Sequence, residues 1–383
     1  MALSPTEAPA KPVRFLITGA TALVGGLAFE LLRLPIPWLL GPMIAVLVGS
    51  NLRREWYAWP GAVRSGGMIV VGYTIGLSLT ESALRETVRQ LPTMVLMTVL
   101  LLLFCAGMAY AIAKLSGGDF LTALMGSVPG GLTQVLLLAE ETSGVNMTLV
   151  TVTQVIRLMM IVICVPLLIF SPLFGLHHDP AAAASAAAAH AAAAGQWTGL
   201  FPNILLFAPV CVLCAWGGNR IKFPTAFLLG PTFATAVLQL CGAHGPALPS
   251  ALTAAAQFVI GTYVGMLLRP GDLTQKVRSI ALALAGGTAL VVGAISLAWL
   301  LTRMHDVSMA TALLSLAPGG MDQMGIVAHE VHADLSMVAV YQLFRTFFIF
   351  FLVPPLMRAL IRHIRKKAAA EAQQAVDNAR ELY

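Results

Sequence analysis

Residues 122–134 read TALMGSVPGGLTQ, and residues 311–323 read TALLSLAPGGMDQ. The chain therefore contains this segment twice, 189 positions apart. In each segment a proline, which stops a helix, is followed by two glycines, which let the backbone reverse and approach other groups closely. The repeated Pro-Gly-Gly motif predicts one broken helix in each half of the chain.

Other motifs recur at the same spacing. WLLGP at residues 38–42 matches FLLGP at 227–231, and the glycines at 72 and 76 match those at 261 and 265. After a one-residue deletion in the second copy, QVIR at 154–157 matches QLFR at 342–345. The chain is an internal duplication.

The composition is that of an integral membrane protein. Of 383 residues, 58% are hydrophobic and 10% charged, against roughly 25% charged in soluble domains. Apolar runs such as 92–114 and 335–357 approach the ~20 residues that cross a bilayer as a helix. The net charge of +6 arises from Lys and Arg in short loops between apolar runs, which argues against a nucleic-acid partner. A large internal repeat in such a protein is typical of secondary transporters.

We predict an all-α integral membrane protein with about ten transmembrane helices. Residues 1–14 precede copy 1 (15–176), an Ala-rich linker covers 177–197, copy 2 covers 198–360, and a basic, polar tail covers 361–383. Copy 1 has apolar segments at 15–34, 37–50, 62–80, 92–114 and 146–172, with the split element at 120–140. Copy 2 has them at 198–217, 224–242, 250–268, 279–301 and 334–357, with the split element at 308–330.

The distribution of Lys and Arg predicts that the two copies are inverted. If each copy crosses five times and the N-terminus is cytoplasmic, sixteen basic residues lie inside and four outside; six crossings give twelve and eight. The positive-inside rule favours five. We therefore expect a bacterial inner-membrane protein with both termini cytoplasmic and with re-entrant split elements. The sixteen are Lys11, Arg14, Arg53, Arg54, Arg64, Lys114, Arg220, Lys222, Arg269, Lys276, Arg278, Arg358, Arg362, Arg365, Lys366 and Lys367, and the four are Arg33, Arg85, Arg89 and Arg303.

The Pro-Gly-Gly tips are the first candidate binding elements. A half-helix that starts at each glycine pair presents free N–H groups and a positive dipole end, which suits an anion. The alternative is a proline kink in an ordinary spanning helix. The tip residues predicted to bind substrate are Gly130, Gly131, Thr133, Gln134, Gly319, Gly320 and Gln323.

The second candidate is the Gln-x-x-Arg pair on the last long helix of each copy. Arg157 and Arg345 lie about 15 Å from either end of their segments, too far for the side chain to reach lipid head groups. Gln154 and Gln342 share their helix faces, so each pair could hold one substrate carboxylate. A structural ion pair, or an arginine that caps backbone carbonyls, is the alternative.

Asp322 follows the second tip and is the candidate ion-coupling residue, with Na⁺ or H⁺ as the coupling ion; its alternative role is a helix-start cap. Asn146 and Asp334 are predicted to cap the last long helices. The motif His329-Glu330-Val331-His332 is a weak metal signal, because its spacing differs from that of a zincin helix. We predict no catalytic residue, no metal site and no other cofactor.

The duplicated pattern of Leu-Leu-Gly-Pro, Pro-Gly-Gly and Gln-x-x-Arg resembles the AbrB-type bacterial membrane family, labelled in places an ammonia monooxygenase or a regulator. The likeness covers about residues 15–360. That family is distantly similar to the cation-proton antiporter and anion transporter group. The resemblance implies a mobile core, formed by the Pro-Gly-Gly elements and Gln-x-x-Arg helices, and a scaffold formed by the Leu-Leu-Gly-Pro helices.

These observations predict an ion-coupled secondary transporter of a small organic anion, a carboxylate, with alternating access around a midplane site. The expected partners are the bilayer and the anionic solute, and a homodimer is left open. Two alternatives remain. One is an oxidising membrane metalloenzyme, and the other is a membrane sensor that acts through a partner.

Overall fold

A computed structural model describes residues 10–34, 36–117, 119–129, 135, 139, 142, 145–171, 197–223, 225–267 and 276–381. For residues 116, 198, 276–279, 360, 361 and 363–381 only the backbone is described. Within these ranges the chain forms thirteen α-helices and no β-strand.

Copy 1 contributes α1 (Lys11–Leu31), α2 (Pro37–Leu52), α3 (Gly61–Ser78), α4 (Glu81–Ser116), α5 (Phe120–Ser127) and α6 (Met147–Ile169). Copy 2 contributes α7 (Ile204–Arg220), α8 (Ala226–Leu240), α9 (Ser250–Gly265), α10 (Lys276–Met304), α11 (Met309–Leu316), α12 (Met321–Glu330) and α13 (Leu335–Glu381).

The helices are those of a membrane protein. Five spans are long and apolar enough to cross a bilayer, namely Lys11–Leu31, Glu81–Leu115, Met147–Ile169, Ile280–Met304 and Leu335–Ala359. Helices α2, α7 and α8 are apolar but shorter. Each of the ten predicted apolar segments overlaps a helix, which confirms the helical fold class. That all ten cross the membrane stays a prediction.

Two helices extend beyond their predicted apolar segments. Helix α4 begins at Glu81 instead of residue 92, because Thr80 Oγ1 accepts a hydrogen bond from Ala83 N at 3.3 Å and starts the helix in the polar stretch. Helix α13 continues to Glu381. Residues 361–381 are rich in Ala, Glu, Gln, Lys and Arg, which are strong helix formers in water.

The split elements begin with matching caps. Asp119 Oδ2 accepts a hydrogen bond from Thr122 N at 2.9 Å, and in copy 2 Ser308 Oγ accepts one from Thr311 N at 3.2 Å. Each cap starts a helix of eight residues. In copy 2 the chain breaks over residues 317–320 and resumes as α12, so this element is a broken helix, as predicted.

A threonine ties each split element to the last long helix of its copy. Asn146 N donates to Thr122 Oγ1 at 3.2 Å, and Asp334 N donates to Thr311 Oγ1 at 3.1 Å. Asn146 and Asp334 also cap α6 and α13 with their side chains, as predicted. Equivalent residues of the two copies therefore form matching hydrogen bonds.

The described helices pack as two groups. Helices α1, α2, α3, α7, α8 and α9 form one, here called the scaffold group, and α4, α5, α6 and α10–α13 form the other, the core group. Helix α3 links them through α12 and α13. This division follows the one that the family resemblance implies.

Within the scaffold group, glycines let backbones of different copies touch. A Cβ on Gly261 would overlap the Leu39 carbonyl oxygen, and one on Gly265 would overlap that of Met43. Contacts that advance together along both helices mean that α2 and α9 run in parallel. The same arrangement joins α3 and α8, through Gly72 with Leu228 and Gly76 with Thr232.

Candidate functional site

Both Gln-x-x-Arg pairs lie on the carbonyl ends of the first half-helices. In copy 1, Gln154 Nε2 donates to the carbonyls of Met125 (2.7 Å) and Val128 (3.1 Å). Arg157 Nη1 donates to the carbonyls of Ser127 (3.4 Å) and Val128 (2.7 Å). These carbonyls are the ones that the end of α5 leaves without helical partners.

Copy 2 repeats the same contacts. Gln342 Nε2 donates to the carbonyls of Leu314 (2.6 Å) and Ala317 (3.2 Å). Arg345 Nη1 donates to those of Leu316 (3.2 Å) and Ala317 (2.7 Å), and Nη2 donates to the Gly319 carbonyl (3.1 Å) and to Gln342 Oε1. The contacts are those of the carbonyl-capping alternative; binding of a substrate carboxylate by these arginines stays a prediction.

The two guanidinium groups concentrate positive charge inside the core group. Arg157 and Arg345 are each 6% exposed. Both lie within electrostatic range of Cys105 on α4, and Arg157 lies within that range of Arg345, so the two groups converge on one region. Neither takes part in an ion pair with a described residue. The capped helix ends supply about half a negative charge each, which leaves a net positive centre.

The start of α12 carries the other predicted residues. Gly320 is its N-cap, and no side chain caps the helix. Asp322 and Gln323 are buried in its first turn, and Gln323 Oε1 has no hydrogen-bond partner in the described structure. This end of the break therefore presents helix N–H groups together with side-chain oxygens.

An ion pair joins the core group to the scaffold group. Arg64 Nη2 on α3 lies 3.5 Å from Asp322 Oδ2 on α12, with side-chain exposures of 30% and 7%. The Arg64 guanidinium also lies over the Tyr263 ring of α9, 4.7 Å from its centre. In the sequence Arg64 is only a topology signal, and this contact was not predicted.

The sequence marks both members of the pair as positions where the copies differ. The position of Arg64 in copy 1 is Thr253 in copy 2, and the position of Asp322 in copy 2 is Thr133 in copy 1. Both members of the charged pair thus occur where their counterparts are neutral. Both positions therefore belong to the set in which the two copies differ in charge.

Further contacts hold α12 against the scaffold group. Gln257 Nε2 on α9 donates to Glu330 Oε1 at 2.8 Å. A Cβ on Gly325 would lie 2.8 Å from Ile75 Cδ1 on α3. Helix α12 therefore meets the scaffold group by charge at its start, by close packing in its middle and by a polar bond at its end.

Four of the predicted site residues cannot be placed. Gly130, Gly131, Thr133 and Gln134 lie outside the described residues, as does the linker up to residue 196. Across the described ranges, His, Cys, Asp and Glu side chains form no group of three or more that could hold a metal ion.

A protein-family model described as "Transition state regulatory protein AbrB" matches residues 1–171 and residues 38–361. The chain belongs to the AbrB family. The AbrB relatives include the protein YhjN of Bacillus subtilis (strain 168), 25% identical over 90% of this chain and 92% of its own length. Another is a protein of Escherichia coli (strain K12) named as a candidate regulator, AbrB, 27% identical over 91% and 97%. The AbrB resemblance inferred from the sequence motifs is thus confirmed.

Proposed function

We propose that this chain is a secondary transporter of a small organic anion, a carboxylate, coupled to an ion gradient. The observation that carries the proposal is the pair of buried arginines without a carboxylate partner among the described residues. An uncompensated charge inside a membrane protein is costly, so such residues face water, a partner or a substrate. A bound anion would offset the net positive centre that remains after the helix ends are counted.

Helix directions support alternating access by inverted copies. Gly67 packs against Ala256, while Arg64, earlier in α3, reaches Tyr263, later in α9. Helix α3 and its counterpart α9 therefore run in opposite directions, as inverted repeats require. Eight residues of α5 or α11 span about 12 Å of a hydrocarbon core of about 30 Å, which favours re-entry over crossing.

The remaining roles follow from the same geometry. N–H groups at the start of α12, with Gly319, Gly320 and the side-chain N–H of Gln323, would bind the anion, and the arginines would supply the field that attracts it. Asp322 would bind the coupling ion, Na⁺ or H⁺. The proposal places the chain in a bacterial inner membrane with both termini cytoplasmic, because that orientation puts most Lys and Arg inside.

The function is tested by a thermal-shift screen against short mono- and dicarboxylates, followed by flux of each hit in proteoliposomes. A substrate that binds only folded protein raises the unfolding temperature. Asp322→Asn is expected to lose gradient-driven accumulation while still exchanging labelled for unlabelled substrate. The matched control is Asp334→Asn, since the copy-1 counterpart of Asp334 is Asn146. Failure of every carboxylate to stabilise the protein or to be exchanged would refute the proposal.

A sensor role has one structural observation in its favour beyond the relatives' names. Helix α13 continues to Glu381, about 30 Å past the apolar span that ends at Ala359. Deleting residues 369–383 is expected to leave carboxylate flux within about twofold of the intact chain, because these residues lie beyond the apolar span. Loss of a cellular response with flux retained would instead assign an output function to this segment.

A further inference from the structure

Two side-chain oxygens crowd the open side of Gly320. A Cβ built there would overlap Gln323 Oε1 and lie 2.5 Å from Asp322 Oδ1. Gln323 is 2% exposed, and its Oε1 accepts no hydrogen bond in the described structure. It stands where a side chain at the third helical position closes a capping box, yet that bond is not made. Buried acceptors in folded proteins nearly always have a partner, so this unpaired oxygen calls for a ligand.

Arg64 approaches the same carboxylate from the scaffold group. Its Nη2 lies 3.5 Å from Asp322 Oδ2, which is a long distance for an ion pair. The other carboxylate oxygen, Oδ1, is the one beside Gly320. Arg64 Nε has no partner among the described residues. The guanidinium also rests on the Tyr263 ring, so it keeps a favourable contact on the scaffold group if it leaves Asp322.

We propose that Asp322 and Gln323 form a site for a desolvated monovalent cation, Na⁺, and that Arg64 is a tethered competitor for it. This inference rests on the proposed transport function and names its coupling ion. Oxygen ligands suit a hard cation. One carboxylate balances one charge, and the positive end of α12 disfavours a second, which selects a monovalent ion over a divalent one.

The competition would couple ion binding to movement. While Arg64 holds Asp322, the core group is tied to the scaffold group at the start of α12. A cation bound to Asp322 neutralises the carboxylate and so removes its attraction for Arg64. An ion shifts a conformational equilibrium only if it binds the two states with different affinity. Arg64 causes that difference, because the cation binds less tightly in the state in which Arg64 contacts Asp322. Because Thr253 and Thr133 occupy the positions equivalent to Arg64 and Asp322, the proposed site would occur once in each chain.

The test is the unfolding temperature of the purified full-length protein, titrated with NaCl against choline chloride at constant ionic strength. We expect Na⁺ to stabilise the wild type. Arg64→Gln should lower the half-maximal Na⁺ concentration by about fivefold, since a competitor is removed. Arg64→Lys, which keeps the charge, should behave as the wild type. Asp322→Asn should abolish the Na⁺ effect.

Gly320→Ala provides the sharpest variant, because one methyl group would displace both oxygens. It should abolish the Na⁺ effect without changing any charge. Its matched control is Gly319→Ala, because the three atoms nearest to a Cβ there are side-chain carbons of Met324 and Ile161 and not oxygens. If Gly320 acts only as the N-cap of α12, Gly320→Ala would lower the unfolding temperature by the same amount with and without Na⁺.

Three results would overturn the inference. They are a Na⁺ effect that persists in Asp322→Asn, an Arg64→Gln variant that binds Na⁺ as the wild type does, and a wild type that responds to pH but not to Na⁺. The proposed function fails separately. If Na⁺ binds but no carboxylate is transported, the Na⁺ site stands and the transport function is refuted. If carboxylate is transported but Na⁺ has no effect, the transport function stands and the Na⁺ site is refuted.

Discussion

Arg345→Gln is expected to abolish carboxylate uptake and to lower the unfolding temperature at the same time. Arg345 donates hydrogen bonds to the carbonyls of Leu316, Ala317 and Gly319, and a glutamine at this position is too short to serve all three. The Ala317 carbonyl keeps its donors Gln342 Nε2 and Gly319 N, so the carbonyls of Leu316 and Gly319 are the ones left without a donor. Each such carbonyl costs about 1–3 kcal/mol when buried, so a loss of about 2 kcal/mol or more is expected. Initial uptake rates in proteoliposomes and thermal unfolding in detergent measure the two effects.

This experiment separates the two roles that the sequence allows for the arginines. A residue that only binds substrate would lose uptake and keep its stability, whereas a carbonyl cap loses both. Arg345→Lys keeps the charge but not the planar fork, so intermediate stability is expected. Arg362→Gln, at an exposed position of the same helix, serves as the control and should change neither quantity. Wild-type uptake and stability in Arg345→Gln would contradict both roles.

The first helix of each split element could be predicted closely because its determinants are local. The split element predicted to start at residue 120 begins there as α5, since Asp119 caps its start and Pro129 follows its end. Burial of the arginines followed from their distance to the segment ends. What each guanidinium touches depends on how α6 crosses α5 and α13 crosses α11, which no local pattern encodes.

The Arg64–Asp322 pair could not be predicted from local pattern at all. The two residues are 258 positions apart and lie in different copies. Their contact depends on how the core group docks onto the scaffold group. Only a position-by-position comparison of the copies exposes these residues, and even that comparison shows where the copies differ without showing that the differences meet.

Gly72→Ala is expected to destabilise the protein by about 2–3 kcal/mol, as overpacking typically does. A Cβ at Gly72 would overlap the Leu228 carbonyl oxygen and lie 3.2 Å from its carbonyl carbon. Backbone atoms of a packed helix cannot rotate away as a side-chain tip can, so α3 and α8 must separate. The unfolding temperature and the yield of monodisperse protein measure the effect.

The matched control on the same helix is expected to change stability in the opposite direction. A Cβ at Gly66 would meet nothing within 4 Å, so Gly66→Ala should stabilise α3 by up to about 1 kcal/mol through helix propensity alone. The opposite signs separate packing from propensity, since both variants make the same chemical change in one helix. If both variants stabilise the protein, α3 and α8 lie farther apart than the structure has them, and the close contact between the copies does not hold the scaffold group together.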